Sequence, residues 1–349
     1  MECGISLKNN WYDLMRLILA LGVVYSHSYA VGGFGDEPLV SLTKEKTILG
    51  SISVLGFFGL SGFLVSGSFD GTGSLKIFLL KRFRRIFPGF WACLIVTAFF
   101  IAPLIGILNG ISFSGFPIFG SDGAFSYVAK NFFISVHQHS IGNIIEKTAW
   151  PGSLNGSLWS LHPEVICYIV LAVFGLSGAF SSSKWLVFLL FFVLFTFHFV
   201  ICLDGSGVFP NAPSFLVFSK NTPYFTAFFA GACVYKLRSF IIPSIGNALV
   251  LILVLALLLK FGGFHLLSPV LVPLALLVTG SLTGFVLKND LSYGVYIYSF
   301  PLQQLLFSTG LFSSSVFIFF LFSCIVSLAL AFLSWRFVEA PLLHRKRSA

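Results

Sequence analysis

Arg16 and His27 lie eleven residues apart within the apolar stretch WYDLMRLILALGVVYSHSYAV. On an α-helix of 3.6 residues per turn that spacing is close to three turns, so both side chains leave one face, about 16 Å apart along the axis. Ionisable groups inside bilayer hydrocarbon are costly and by default mark a substrate or proton path. The same pair also reads as an arginine snorkelling to the headgroups and a histidine satisfied within a core.

Two further groups could do chemistry. Arg82 and Arg85, in SLKIFLLKRFRRIFPGFW, are three residues apart and share a helical face. Arginine forks grip phosphate oxygens bidentately, which suits a phosphate-bearing anionic cofactor, and with Arg16 three arginines could converge on one anion. The other reading of the pair is an ordinary cytoplasmic cation cluster. Glu164, in NGSLWSLHPEVICYIV, sits just behind Pro163 at a helix start, with Ser160 or His162 as the expected cap. There it either complements the helix dipole, worth about 0.3–1 kcal/mol, or orients a histidine or an acceptor hydroxyl. His27 is the histidine expected to pair with it.

The elements that must position these residues are apolar helices. The chain has 349 residues, 57% hydrophobic and 9% charged, where soluble domains carry about 25% charged residues. An all-α, polytopic membrane helix bundle follows, as one domain over 1–349. Apolar runs fall at about 11–32, 48–69, 86–108, 159–180, 185–203, 221–237, 243–260, 267–287, 291–309 and 315–335, which predicts about ten transmembrane helices. Every arginine then falls on one side, so the positive-inside rule places both termini in the cytoplasm. The first run lacks a cleavage site and is expected to be retained as a helix.

The net charge of +9 arises from short clusters between apolar runs, a topology signal that sets nucleic acid aside. Six scattered cysteines give neither a disulfide framework nor a zinc site, and the isolated His137-x-His139 pair lacks further ligands, so no metal is expected. His198, His265 and His344 read as structural or surface residues. One long loop, 109–158, is predicted on the outer face, with NFFISVHQHS as a short amphipathic or re-entrant piece. In VLGFFGLSGFLVSGS the small residues allow close helix approach. Ser61 within it reads as packing, because no base is identifiable near it.

Taken in order, six strings make the chain resemble the bacterial acyltransferase-3 family of membrane proteins, which O-acylate surface and secreted glycans. They are Arg16 to His27 (R-x10-H), FFGLSGFL at 57–64, Arg82 to Pro88 (R-x-x-R-I-x-P), Ser157 to Glu164 (SLWSL-x-x-E), Ser292 to Tyr296 (SYG-x-Y) and Trp335 to Pro341 (W-x-x-V-E-x-P). The resemblance runs nearly end to end. It implies that His27 is the catalytic base or proton carrier, that Arg16 helps position the acyl thioester, and that Arg82 and Arg85 bind the phosphates of acyl-coenzyme A. Glu164 belongs to a family motif. Members often carry a histidine where this chain has Ser299, which cannot replace it as a base. No additional extracytoplasmic hydrolase-like domain is expected.

The expected activity is therefore O-acyl transfer, with acetyl-coenzyme A as donor and a carbohydrate hydroxyl as acceptor, in the bacterial cytoplasmic membrane. The rival is a transporter or flippase for a lipid-linked sugar, in which Arg16, His27 and Glu164 form a pathway without acyl chemistry.

Overall fold

The computed structural model describes residues 4–7, 10–43, 47–72, 74–176, 184–204, 217–282, 284 and 287–343. Among these the chain is helical, without strands. The longer helices are α1 (Tyr12–Gly32), α2 (Leu49–Asp70), α3 (Leu75–Leu108), α4 (Leu161–Leu176), α5 (Lys184–Asp204), α6 (Val217–Leu237), α7 (Ile245–Phe261), α8 (Phe264–Gly280), α9 (Ser292–Ser308) and α10 (Val316–Ser334). Each predicted apolar run overlaps one of them; the run at 267–287 continues past the end of its helix at Gly280, and the end of the run at 159–180 lies outside the described residues. Five, α1, α2, α3, α5 and the helix running on from α10 to Leu343, are long and apolar enough to cross a membrane. His344 lies outside the described residues.

α3 differs from expectation at its start. The basic segment from Leu75 is helical and continuous with the apolar run, giving 34 residues in one helix. Charge ends an apolar run but not a helix, because lysine and arginine are good helix formers. Among the described residues two places widen to a π turn, Thr97–Ile101 within α3 and Trp335–Glu339 after α10. Each runs directly into an Ala-Pro pair, Ala102-Pro103 and Ala340-Pro341. Proline has no N–H to give the carbonyl four residues back, and the ladder opens just ahead of it.

The chain divides into two compact units. The first comprises Met1–Leu19, Pro38–Leu79 and Pro163–Lys288. Here α2 packs on α6 and α8, α6 on α5 and α8, and α7 on α8. The α2–α6 contact is backbone against backbone: a Cβ on Gly62 would lie 1.8 Å from the Phe228 carbonyl oxygen. The small residues of this helix serve close packing, as expected. Tyr12, at the start of α1, is buried and bonds Ser281 Oγ at 2.6 Å and the Leu277 carbonyl at 3.3 Å.

The second unit comprises Ala20–Glu37, Leu80–His162 and Asn289–Ala349. α9 packs on α10 and on the last turns of α3. The 109–158 loop belongs here and is built around polar side chains. Its helix, Ala124–Asn131, ends where an amphipathic piece was predicted to begin, and residues 132–140 are irregular. The reason is Asn131, whose amide oxygen takes the N–H groups of His137 (2.8 Å) and Gln138 (3.1 Å) while its NH2 donates to the Gln138 carbonyl (2.8 Å). The side chain satisfies the backbone that a helix would otherwise use.

Candidate active site

In the first unit, Glu164 stands half-buried in the first turn of α4. A 3-10 turn, Leu158–Ser160, precedes that helix. His162 lies inside the helix, while Ser160 stands directly before it with its hydroxyl engaged with Tyr296 (2.6 Å) and the Ser157 carbonyl (3.4 Å). Glu164 Oε1 accepts hydrogen bonds from Ser61 Oγ at 2.9 Å and from the Tyr168 hydroxyl. Ser61 therefore does have a carboxylate beside it, which corrects the expectation that no base stands near. With two donors on one oxygen, the carboxylate is held as a fixed acceptor. Arg16 is half-buried on α1 in this unit.

In the second unit, the His27 ring meets the Phe300 ring edge to face, with centroids 4.9 Å apart and planes at 78°. His27 Nδ1 is shielded from solvent and has no hydrogen-bond partner among the described residues. Buried polar atoms are nearly always paired in native proteins, so an unpaired imidazole nitrogen is a place where a ligand or water atom belongs. α9 bears Gln303 three residues on from Phe300, and its Nε2 donates to the Val24 carbonyl (3.0 Å) and to Ser28 Oγ (2.9 Å). The next residue, Gln304, donates to the carbonyls of Trp150 (2.7 Å) and Ser153 (2.9 Å), tying the long loop to the same helix.

Arg82 and Arg85 occupy one face of α3, both half-buried. Arg85 donates to Asp290 Oδ2, an ion pair in which both side chains are about 15% exposed. Asp290 Oδ1 meanwhile accepts the Ser292 N–H at 3.1 Å at the start of α9. The Arg85 guanidinium lies 6.0 Å from the Tyr293 ring centre, and the Tyr293 hydroxyl donates to the Ile86 carbonyl at 2.8 Å. A Cβ on Gly89 would come within 2.8 Å of the Tyr293 ring and 3.4 Å of the Glu339 carboxyl. Glu339, 1% exposed, accepts from Ser334 Oγ at 3.0 Å. Segments far apart in sequence, 82–89, 289–296 and 334–341, thus meet in one place in this unit.

Ser299 is buried and donates back to the Tyr296 carbonyl at 3.4 Å. His198 bonds the His265 carbonyl at 2.9 Å, a structural contact as expected. His137 and His139 are exposed in the loop. The sequence reading overlooked Gln303, Gln304, Asp290 and Tyr168. The two adjacent glutamines in an apolar helix were the visible signal, since uncharged amides in such a run need a reason as much as charges do.

The described residues bring Ser61 and Tyr168 to Glu164, Phe300 and Gln303 to the turn of His27, and Asp290 and Tyr293 to Arg85. Glu164 and Arg16 belong to one unit and His27, Arg82 and Arg85 to the other.

Comparison with known proteins adds the rest. A family model described as an acyltransferase domain, that of the acyltransferase-3 family, matches residues 9–336. A protein of Shigella phage Sf6 named O-acetyl transferase is 30% identical over 348 residues, covering 97% of each chain. Nodulation protein 10 of Rhizobium leguminosarum bv. viciae is 38% identical over 81 residues, 23% of this chain and 22% of that one. No solved structure matches.

Proposed function

The chain belongs to the acyltransferase-3 family, and from that premise we propose that it is a membrane O-acetyltransferase that moves acetyl from acetyl-coenzyme A to a hydroxyl of a cell-surface or secreted carbohydrate. The observation that carries the proposal is His27: a sheltered imidazole whose Nδ1 is committed to nothing among the described residues, on a chain aligned end to end with a relative named O-acetyl transferase.

In this reading the acceptor hydroxyl oxygen attacks the thioester carbonyl. The new C–O bond forms, the C–S bond breaks, His27 takes the hydroxyl proton, and the coenzyme A thiolate leaves to be protonated. Arg16 polarises or orients the thioester. Arg82 and Arg85 hold the coenzyme A phosphates. Arg85 is already drawn into position by the Asp290 carboxylate, whose place a phosphate oxygen can take or share, since both offer the guanidinium fork paired acceptors. Glu164, with Oε1 occupied by Ser61 and Tyr168, offers Oε2 to a sugar hydroxyl. The protein sits in the bacterial cytoplasmic membrane with both termini on the cytoplasmic side, where the donor is.

The experiment is release of free coenzyme A thiol from acetyl-coenzyme A by membranes bearing the chain, with and without a de-O-acetylated bacterial polysaccharide. Release that depends on both the chain and the polysaccharide supports the proposal. Release that never depends on the chain overturns it.

A further inference from the structure

We infer that Gln303 is the positioning residue of His27, an inference that rests on His27 carrying the proton. Gln303 is fully buried in α9, and both hydrogens of its amide are spent on one turn of α1: one on the Val24 carbonyl at 3.0 Å, the other on Ser28 Oγ at 2.9 Å. Ser28 Oγ in turn donates to the Val24 carbonyl at 2.8 Å, closing a ring of three hydrogen bonds. Val24 and Ser28 bracket His27 in sequence, and positions 24, 27 and 28 share one face of a helix. The orientation of the amide is settled by chemistry, because the Val24 carbonyl can only accept and only the NH2 end can serve it.

The same face of α9 carries Phe300, whose ring meets the imidazole. Gln303 thus fixes the backbone turn from which His27 projects, while Phe300 fixes the tilt of its ring. Among the described residues no group bonds His27 Nδ1 to hold it in place. The precision needed for proton transfer must come from the backbone and from ring packing, and both are supplied by α9. Burying an amide in an apolar helix costs free energy unless its hydrogens are satisfied. Here both hydrogens are satisfied and both fall on the His27 turn, while Oε1 has no hydrogen-bond partner among the described residues.

The test is steady-state kinetics of the full chain in detergent, with acetyl-coenzyme A and a de-O-acetylated polysaccharide that the wild-type chain modifies. The variants are Gln303→Met, which keeps length and loses the donors, and Gln304→Met as a control on the same helix, whose amide serves the loop. Gln303→Met should lower kcat about 10–100-fold, the scale of a misplaced catalytic group, at unchanged KM for acetyl-coenzyme A. It should also move the limb of the pH–rate profile that His27→Ala removes. Gln304→Met should leave that limb where it is. If Gln303→Met fails to fold, Ser28→Ala, which removes one leg and leaves the Val24 bond, should show the same pattern in smaller measure. Wild-type kcat and pH profile in folded Gln303→Met and Ser28→Ala would overturn the inference while leaving His27 in its role. Full activity of His27→Ala would instead remove the reading on which the inference rests.

Discussion

Ser61 Oγ donates to Glu164 Oε1 at 2.9 Å, joining α2 to α4 through a half-buried carboxylate that also takes the Tyr168 hydroxyl. Hydrogen bonds to charged groups contribute about 1.5–3 kcal/mol, and removing one donor here leaves the other in place. Ser61→Ala should therefore lower the melting temperature of the purified protein while keeping most of its activity per folded molecule. Glu164→Gln should behave differently, raising KM for the polysaccharide because the amide presents a donor where a sugar hydroxyl needs an acceptor. Differential scanning fluorimetry and acceptor titration separate the two. Loss of all turnover in folded Ser61→Ala would give the serine itself a chemical role.

Arg85 and Asp290 make the second test. Arg85→Lys keeps the charge and loses the fork, and should raise KM for acetyl-coenzyme A about tenfold, the equivalent of roughly 1.4 kcal/mol. Asp290→Asn keeps an oxygen for the Ser292 N–H and removes the competing charge, so donor KM should stay level or fall. Titration of acetyl-coenzyme A in both variants checks the pair. A rise in donor KM with Asp290→Asn would mean that the carboxylate, and not a phosphate, is the proper partner of Arg85.

Packing in the first unit is tested at Gly62. With the Phe228 carbonyl 1.8 Å from where a Cβ would stand, even Gly62→Ala must push α2 and α6 apart. Overpacking of this kind costs about 1–3 kcal/mol or more. Monodisperse yield on size exclusion should drop well below that of Gly246→Ala, where the added Cβ has only Ser244 Oγ near it, at 3.9 Å. Equal yields would contradict the close contact.

Much of this architecture is legible in the sequence, because apolar runs of helical length leave few alternatives: the run at 221–237 is α6, Val217–Leu237, and the run at 291–309 is α9, Ser292–Ser308. The onset of α3 was misplaced because hydropathy registers where charge stops, and the helix begins eleven residues before that point. Asn131 and Gln138 organise the long loop through side-chain to backbone bonds that no periodicity reveals. Charge drew attention to Arg16, His27, Arg82, Arg85 and Glu164, and the same emphasis hid Gln303, whose partners Val24 and Ser28 lie more than 270 residues away in sequence. The partner of Ser61 was hidden likewise, since Glu164 is 103 residues distant.

The rival transport reading separates from the enzyme at Arg82 and Arg85. Replacing both with alanine should abolish acetyl transfer through loss of donor binding. A transporter has no use for coenzyme A, and export of a lipid-linked sugar would survive the change. Measuring both in the same membranes decides between them.

The central claim is that His27 carries the proton in acetyl transfer. Its most direct test is transfer of radiolabelled acetyl from acetyl-coenzyme A to polysaccharide in membranes bearing wild-type chain or His27→Ala at matched expression. Positioned general bases contribute about 10²–10⁴-fold, so label should accumulate with the wild type and fall at least a hundredfold with the variant. Equal labelling by the two would contradict the account.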